Sequence, residues 1–309
     1  MRRVLLIVGL VVVVTIAGLY LRFTREVPLP PDVRGTLVYL SDRGGADTLY
    51  ARVLPEGTER RLTYFTEAVR DPALSRDGSR IAFSVGGRIG IVVLATGDVR
   101  LLTFGIDYRD VQPAWRADGQ ALAVVARRPG ETAGDIHLLA PLDPGGGRTG
   151  RAAITLTRGL DESEPALSPD GTFVVFVRED NLVRQELANG RTRRLTGGFR
   201  KTRQPLFLPG GRILCLWALE KQFGIDVMEG DGKNRTTLGQ GTTYYRSVTP
   251  SPDGRFFAAT FTYDLRFHPA LALRPRHVEE VHLLDAHGVL LAPLVRSFRD
   301  SNHSPQWAR

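Results

Sequence analysis

The sequence is poor in cysteine, with Cys215 alone among 309 residues. No intramolecular disulfide can form, and no paired-cysteine zinc site exists. Its neighbours Ile213, Leu214, Leu216 and Trp217 predict a buried, inert thiol. Blocks of like charge are also missing. Lys and Arg total 41 against 33 Asp and Glu, a formal charge of +8, but the basic residues are scattered. Scattered Arg belongs to solvated faces as readily as to an anionic partner. The aromatics do not interleave with a basic stripe, so nucleic acid is not expected as a partner. Nor does the chain contain G-x-S-x-G, S-x-x-K, H-E-x-x-H or a phosphate-binding glycine loop in convincing context. No catalytic residue, metal or cofactor is therefore expected, and the reading leans away from an enzyme.

Long apolar runs are scarce too, with one exception. Residues 4–21, VLLIVGLVVVVTIAGLYL, carry no charge, and thirteen of the eighteen are Val, Leu or Ile. As a helix rising about 1.5 Å per residue, this stretch spans roughly 27 Å, close to a bilayer core of about 30 Å. It is longer than the apolar core of a cleaved signal peptide, and no clean small-x-small site follows. The expectation is an uncleaved transmembrane signal anchor behind a cytoplasmic head of residues 1–3. That places the bulk of the chain outside the cytoplasm, periplasmic or extracellular. Residues 22–34 contain three prolines and read as a stiff spacer.

The remainder, 35–309, is repetitive. The copies are DPALSRDGSRIAFS (71–84), QPAWRADGQALAVVA (112–126), EPALSPDGTFVVFV (164–177), QPLFLPGGRILCLW (204–217) and SVTPSPDGRFFAAT (247–260), and SPQWAR begins another at Ser304. Turn glycines 78, 119, 171, 211 and 254 are spaced 41, 52, 40 and 43 residues apart. A period near 40–45 with several short strands per unit signals a propeller. In each copy a tight turn precedes a β-rich apolar run. A second strand follows, then a glycine turn, of which Asn189-Gly190 reads as a two-residue hairpin. A last short strand ends in Leu-Thr at 62–63, 102–103, 156–157 and 195–196. Residues 35–64 supply three strands and the tail supplies a fourth. The prediction is an all-β, six-bladed propeller of four-stranded blades, closed by pairing of the two chain ends and preceded by one transmembrane helix.

The P-x-[WFL]-[SR]-x-D-G turn, clearest in EPALSPDG and QPAWRADG, resembles the TolB-type, WD40-like propeller repeat. The likeness covers about 35–309. It implies the propeller fold strongly and function weakly. The family includes a cell-envelope protein whose propeller binds partner proteins in the periplasm, and propellers joined to serine peptidases. Here an apolar segment stands where TolB has a small α/β domain, and no hydrolase domain follows the ring.

The loops before each opening strand should gather on one face around the channel. They are 64–71, 104–112, 158–164, 197–204, 239–247 and 296–304, with formal charges −1, −1, −2, +3, +1 and +1. One half of the rim is acidic and the other basic. The candidate contacts for a protein or peptide partner are Tyr108, Arg109, Glu164, Phe199, Arg203, Tyr244, Tyr245, Arg246, Arg299 and His303. Tyr and Arg are enriched at interface hot spots. The alternative is a lyase or hydrolase acting on a sugar or other small substrate through Glu164, Arg203, Arg246 and His303. The run His277–His282, with Asp285 and His287, holds metal-capable types. Strand alternation sends His277 and Glu279 one way and Glu280 and His282 the other, so it reads as a solvated strand without a metal.

Overall fold

Proline opens most of the repeats, yet a proline cannot donate to a sheet ladder and belongs at a bulge or an edge. The computed structural model shows how the chain meets that constraint. It describes residues 28–103, 107–140, 142, 153–159, 161–242, 244–264, 277–295 and 300–309. The expected membrane segment 4–21 and Arg299 lie outside these residues. Among the described residues no helix is long and apolar enough to cross a membrane.

The strands are all antiparallel and fall into six four-stranded sheets. Blade one takes β1 (Gly35–Ser41), β2 (Thr48–Leu54) and β3 (Glu59–Arg61). Blade two is β4 (Val69–Leu74), β5 (Arg80–Val85), β6 (Arg88–Val93) and β7 (Val99–Leu101). Blade three is β8 (Arg109–Trp115), β9 (Leu122–Arg127), β10 (Asp135–Leu139) and β11 (Ala153–Thr155). Blade four is β12 (Glu162–Leu167), β13 (Phe173–Arg178), β14 (Asn181–Glu186) and β15 (Thr192–Arg194). Blade five is β16 (Lys201–Phe207), β17 (Ile213–Leu219), β18 (Gln222–Met228) and β19 (Thr236–Gly241). Blade six is β20 (Tyr245–Pro250), β21 (Phe256–Asp264), β22 (His277–Asp285) and β23 (Leu290–Val295). Then β24 (Asn302–Ala308) pairs with β1 and completes blade one.

That closure is the one expected from the two chain ends. The tail strand starts two residues earlier than the repeat alone indicates, at Asn302, and pairs from Ser41↔Asn302 to Thr36↔Ala308 with a bulge opposite Val38 to Leu40. Trp307 is buried and its indole N–H donates to the Arg34 carbonyl at 3.0 Å. The ring has no open radial edge, only the short outer strands.

The core lies between blades. Val38, Leu40 and Leu49 of blade one pack on Ile81, Phe83 and Val92 of blade two. Val174 and Phe176 of blade four pack on Ala123, Ile136 and Leu138 of blade three. Second strands such as Phe173–Arg178 bury every apolar residue because both faces meet a neighbouring sheet. Gly224 sits opposite Trp217, and a Cβ there would come within 2.7 Å of the indole. Only hydrogen fits where the ring folds over the partner strand.

Two small motifs explain themselves. In the repeat turns, Gly78, Gly119, Gly171, Gly211 and Gly254 all have positive φ, between 67° and 84°. The Ser168 hydroxyl donates to Asp170 at 2.6 Å and accepts the Phe173 N–H, while Asp170 accepts the Thr172 N–H at 3.0 Å. In the Leu-Thr endings the hydroxyl takes the N–H of the second residue of the third strand: Thr63 from Leu49, Thr103 from Ile89, Thr157 from Ile136, Thr196 from Leu182. Each is a buried donor that the ladder leaves unpaired.

Two expectations are corrected. Asn189-Gly190 does not form a two-residue hairpin. Glu186 and Arg191 bracket a four-residue loop closed by the Gly190 N–H to the Glu186 carbonyl at 2.9 Å. A two-residue type I′ turn needs positive φ at both positions, and Asn189 is not among the positive-φ residues. The strand expected to be solvated is not so from Glu279 to His282: Glu279, Glu280 and His282 are buried inside blade six. Glu280 and His282 do share a face, with Nε2 3.0 Å from the carboxylate. Glu279 instead pairs with Arg246. Among the described residues no group of three or more His, Cys, Asp or Glu could hold a metal ion.

Candidate functional site

The innermost strands surround a central channel of about 930 Å³. Four repeat copies begin with Asp71, Gln112, Glu164 or Gln204, each followed by proline, and Ser304 precedes Pro305 in the same way. All five have φ of 50–52°. In each case the inner strand bulges there, as between Arg70 and Ala73 or between Ser163 and Ala166. The bulge removes the proline from the ladder, which is why proline is tolerated on an inner strand. A left-handed residue other than glycine is strained by about 1 kcal/mol or more.

Those bulges let one blade bond to the next. Gln112 N–H donates to the Asp71 carboxylate at 3.2 Å. Glu164 N–H donates to the Gln112 amide oxygen at 2.9 Å, and Gln204 N–H donates to the Glu164 carboxylate. Val248 N–H donates to the Gln204 amide oxygen at 3.1 Å. Ser304 N–H donates to the Thr260 hydroxyl at 3.1 Å, and Leu74 N–H to the Gln306 amide oxygen at 3.1 Å. The six junctions are thus each spanned by a side-chain-to-backbone bond, forming a girdle around the channel. The sequence showed these residues as the first letter of each repeat. It did not show that they bond from blade to blade, because the contacts join residues 40 or more positions apart.

At the loop end the described candidates separate into two groups. Glu164, Arg203, Tyr244 and Arg246 line the channel. The Arg203 guanidinium lies over the Tyr244 ring at 5.1 Å, and Tyr244 stands edge-on to Phe223 at 5.0 Å. Among the described residues Arg203 has no hydrogen-bond or ion-pair partner. Arg246 is committed, its Nη1 lying 2.6 and 2.8 Å from the two Glu279 oxygens. Glu164 is half-buried on the channel wall, and its desolvation raises the carboxyl above the ordinary glutamate value, against the Gln204 N–H and the nearby Arg203, which lower it.

Tyr108, Arg109, Phe199, Tyr245 and His303 stand outside the channel lining. Tyr108 meets His137 edge-on at 5.1 Å. Arg109 is exposed and lies along the backbone of Gly87. Phe199 is 93% exposed. Tyr245 packs on Phe261 at 5.1 Å, and burial raises its phenol. His303 is buried, with Nε2 3.2 Å from Asp47 and Nδ1 3.0 Å from the Ser304 hydroxyl. The Asp47 carboxyl is held below its usual value, first by His303 and then, against burial, by the Arg70 and Arg246 charges. The basic half of the rim is therefore partly neutralised from beneath.

No protein-family model matches the chain. A TolB homolog of Chlorobium luteolum is 32% identical over 143 residues, 46% of this chain and 31% of the relative. A TolB homolog of Chlorobium chlorochromatii is 32% identical over 146 residues, 30% of its length. The match spans about a third of the length of these curated relatives. TolB from Acinetobacter baumannii superposes with a TM-score of 0.70 at 17% identity, over 94% of this chain and 70% of that one. An oligogalacturonate lyase solved with manganese reaches 0.57 at 13% identity, over 84% of this chain and 73% of the lyase, a likeness of fold alone. The class is a closed six-bladed β-propeller. Within that class, repeats and relatives together fit the TolB-type propeller family.

Proposed function

We propose that this chain is a non-catalytic binding propeller whose loop end receives a segment of a protein or peptide partner. Residues 4–21 hold it at a membrane, and the ring works outside the cytoplasm as part of a cell-envelope assembly. The observation that carries the reading is the state of Arg203 and Phe199. A guanidinium with its donors uncommitted sits at the channel mouth, stacked on Tyr244. Four residues earlier a phenylalanine projects 93% exposed. An uncommitted Arg and an exposed aromatic ring are side chains of the kind from which interface hot spots are built. The TolB-type resemblance supports the same reading, since it implies a propeller that binds proteins in the envelope.

The lyase alternative would draw on Glu164 and His303. Both are already engaged in the fold, Glu164 by the Gln204 N–H and His303 by Asp47. The binding reading is therefore preferred, and it expects no turnover of acidic oligosaccharides by the purified chain, with or without added divalent metal.

A joint change of Tyr244, Tyr245 and Arg246 would be a poor test, because Tyr245 packs into the blade and Arg246 neutralises a buried Glu279. The cleaner variant is Phe199→Ala with Arg203→Ala and Tyr244→Ala. A photo-crosslinker placed at position 199 in cells should trap a discrete polypeptide. Purified, the triple variant should melt within a few degrees of the parent and bind that polypeptide at least tenfold more weakly, about 1.4 kcal/mol or more. Undiminished affinity sinks the proposed face.

A further inference from the structure

The two ends of the ring differ. The loop end carries the channel mouth described above. The turn end carries the repeat turns and the point where the chain joins the ring. There Asp32 pairs with Arg255 of blade six at 2.7 Å, Val33 is buried, and the Arg34 carbonyl accepts from Trp307. The third hairpin of blade six, Asp285–Leu291, lies at this same end, since Leu290 pairs with Leu284 beside Phe257 and Pro250.

That hairpin is unusual in its exposure. Val289, Leu290 and Leu291 are consecutive and 56%, 51% and 40% exposed. A strand lying on a core should bury one side of such a pair. Here a register shift between Leu283 and Leu284 leaves Leu291 without a ladder partner, while Leu290 pairs with Leu284, and both leucines stay exposed. The tip is braced from within. The Asp285 carboxylate accepts the His287 and Val289 N–H groups at 2.8 Å each, and the Asp285 N–H donates to the Val289 carbonyl. Scattered exposed aliphatics need no explanation, but three in a row on a rigid tip form a small apolar wedge.

We propose that the turn end of the ring is its membrane-facing end, and that Val289, Leu290 and Leu291 insert into the lipid interface. This rests on the anchoring reading above. Its own support is the coincidence of the wedge with the end, and the blade, at which the chain joins the ring. The apolar segment ends at Leu21, eleven residues before Asp32. Short aliphatic wedges of this kind bury at the boundary of headgroups and acyl chains. The geometry leaves the loop end pointing away from lipid, open to a partner.

The lone buried cysteine makes the test clean. Burial pushes the Cys215 thiol up to about 12, so a second, exposed cysteine would be labelled alone. The full chain carrying Leu290→Cys, and separately Phe199→Cys, is labelled with an environment-sensitive fluorophore and reconstituted into phosphatidylcholine vesicles. The label at 290 should shift to shorter wavelength and lose about half or more of its emission to lipid carrying a shallow doxyl quencher. The label at 199 should do neither. If the chain fails to float with vesicles, the anchoring reading falls and takes this one with it. If it floats but the two labels behave alike, anchoring stands and the orientation is wrong. A blue shift seen equally in detergent and lost on dilution would assign the wedge to a second copy of the chain instead.

Discussion

Glu164 is the residue where structure and charge are most at odds. Its counterparts in the girdle on either side, Gln112 and Gln204, do the same bonding with a neutral amide. Burial raises the Glu164 carboxyl, so the folded state holds the proton more tightly than the unfolded chain. The associated stabilisation is complete below the ordinary glutamate value of 4.5 and is lost as pH rises through the raised one. Glu164→Gln keeps the acceptor for the Gln204 N–H and removes the charge. Its melting temperature should match the parent below pH 4.5 and exceed it once the pH has risen through the raised value. A parallel pair of melting curves across that range would refute the assignment. The sequence placed Glu164 at the rim as a candidate contact. Only the fold shows it turned inward, because neither burial nor the next blade's N–H is written in a single repeat.

At the scale of the strand, the Leu-Thr endings are the clearest device. Thr196 Oγ1 accepts the Leu182 N–H at 2.9 Å in a buried setting. Thr196→Val keeps the shape and leaves that donor unpaired, so urea unfolding should show a loss of about 1–3 kcal/mol. Thr192→Val, on the exposed outer strand of the same blade, should stay within about 0.5 kcal/mol. Equal losses at the two sites would remove the hydroxyl bond from the explanation. The Leu-Thr motif itself was legible from the sequence, as were the turn glycines and the strand count. The bulge was not. A proline at the head of an inner strand can mean a strand start or a bulge, and only the partner strand's register distinguishes them.

For the whole molecule, closure is the governing fact. Each blade buries its faces against two neighbours, so the ring holds only if β24 completes blade one. Trp307→Ala should cost about 3–5 kcal/mol, through the lost indole packing and its bond to Arg34. A chain ending at Asp300 should lose its single cooperative transition altogether. Retention of the parent's denaturation midpoint by either variant would show that the termini are ornamental. Closure was foreseen because three strands at the start and one at the end sum to a blade. The rim was foreseen only in part. Of the ten candidate contacts, four line the channel, five stand outside it and Arg299 lies beyond the described residues.

The sequence by itself determined the period, the four-strand unit and the number of blades, since these depend on turn chemistry and alternation that act over a few residues. It also determined that Cys215 is buried, through the apolar run around it. The tertiary structure alone decided which polar side chains are spent on holding blades together and which remain free. Asp71, Gln112, Glu164 and Gln204 go to the girdle, Arg246 and His303 to buried or half-buried carboxylates, Arg203 keeps only its stack on Tyr244, and Phe199 stays exposed. That division depends on contacts between blades 40 or more residues apart, where local sequence exerts no physical hold.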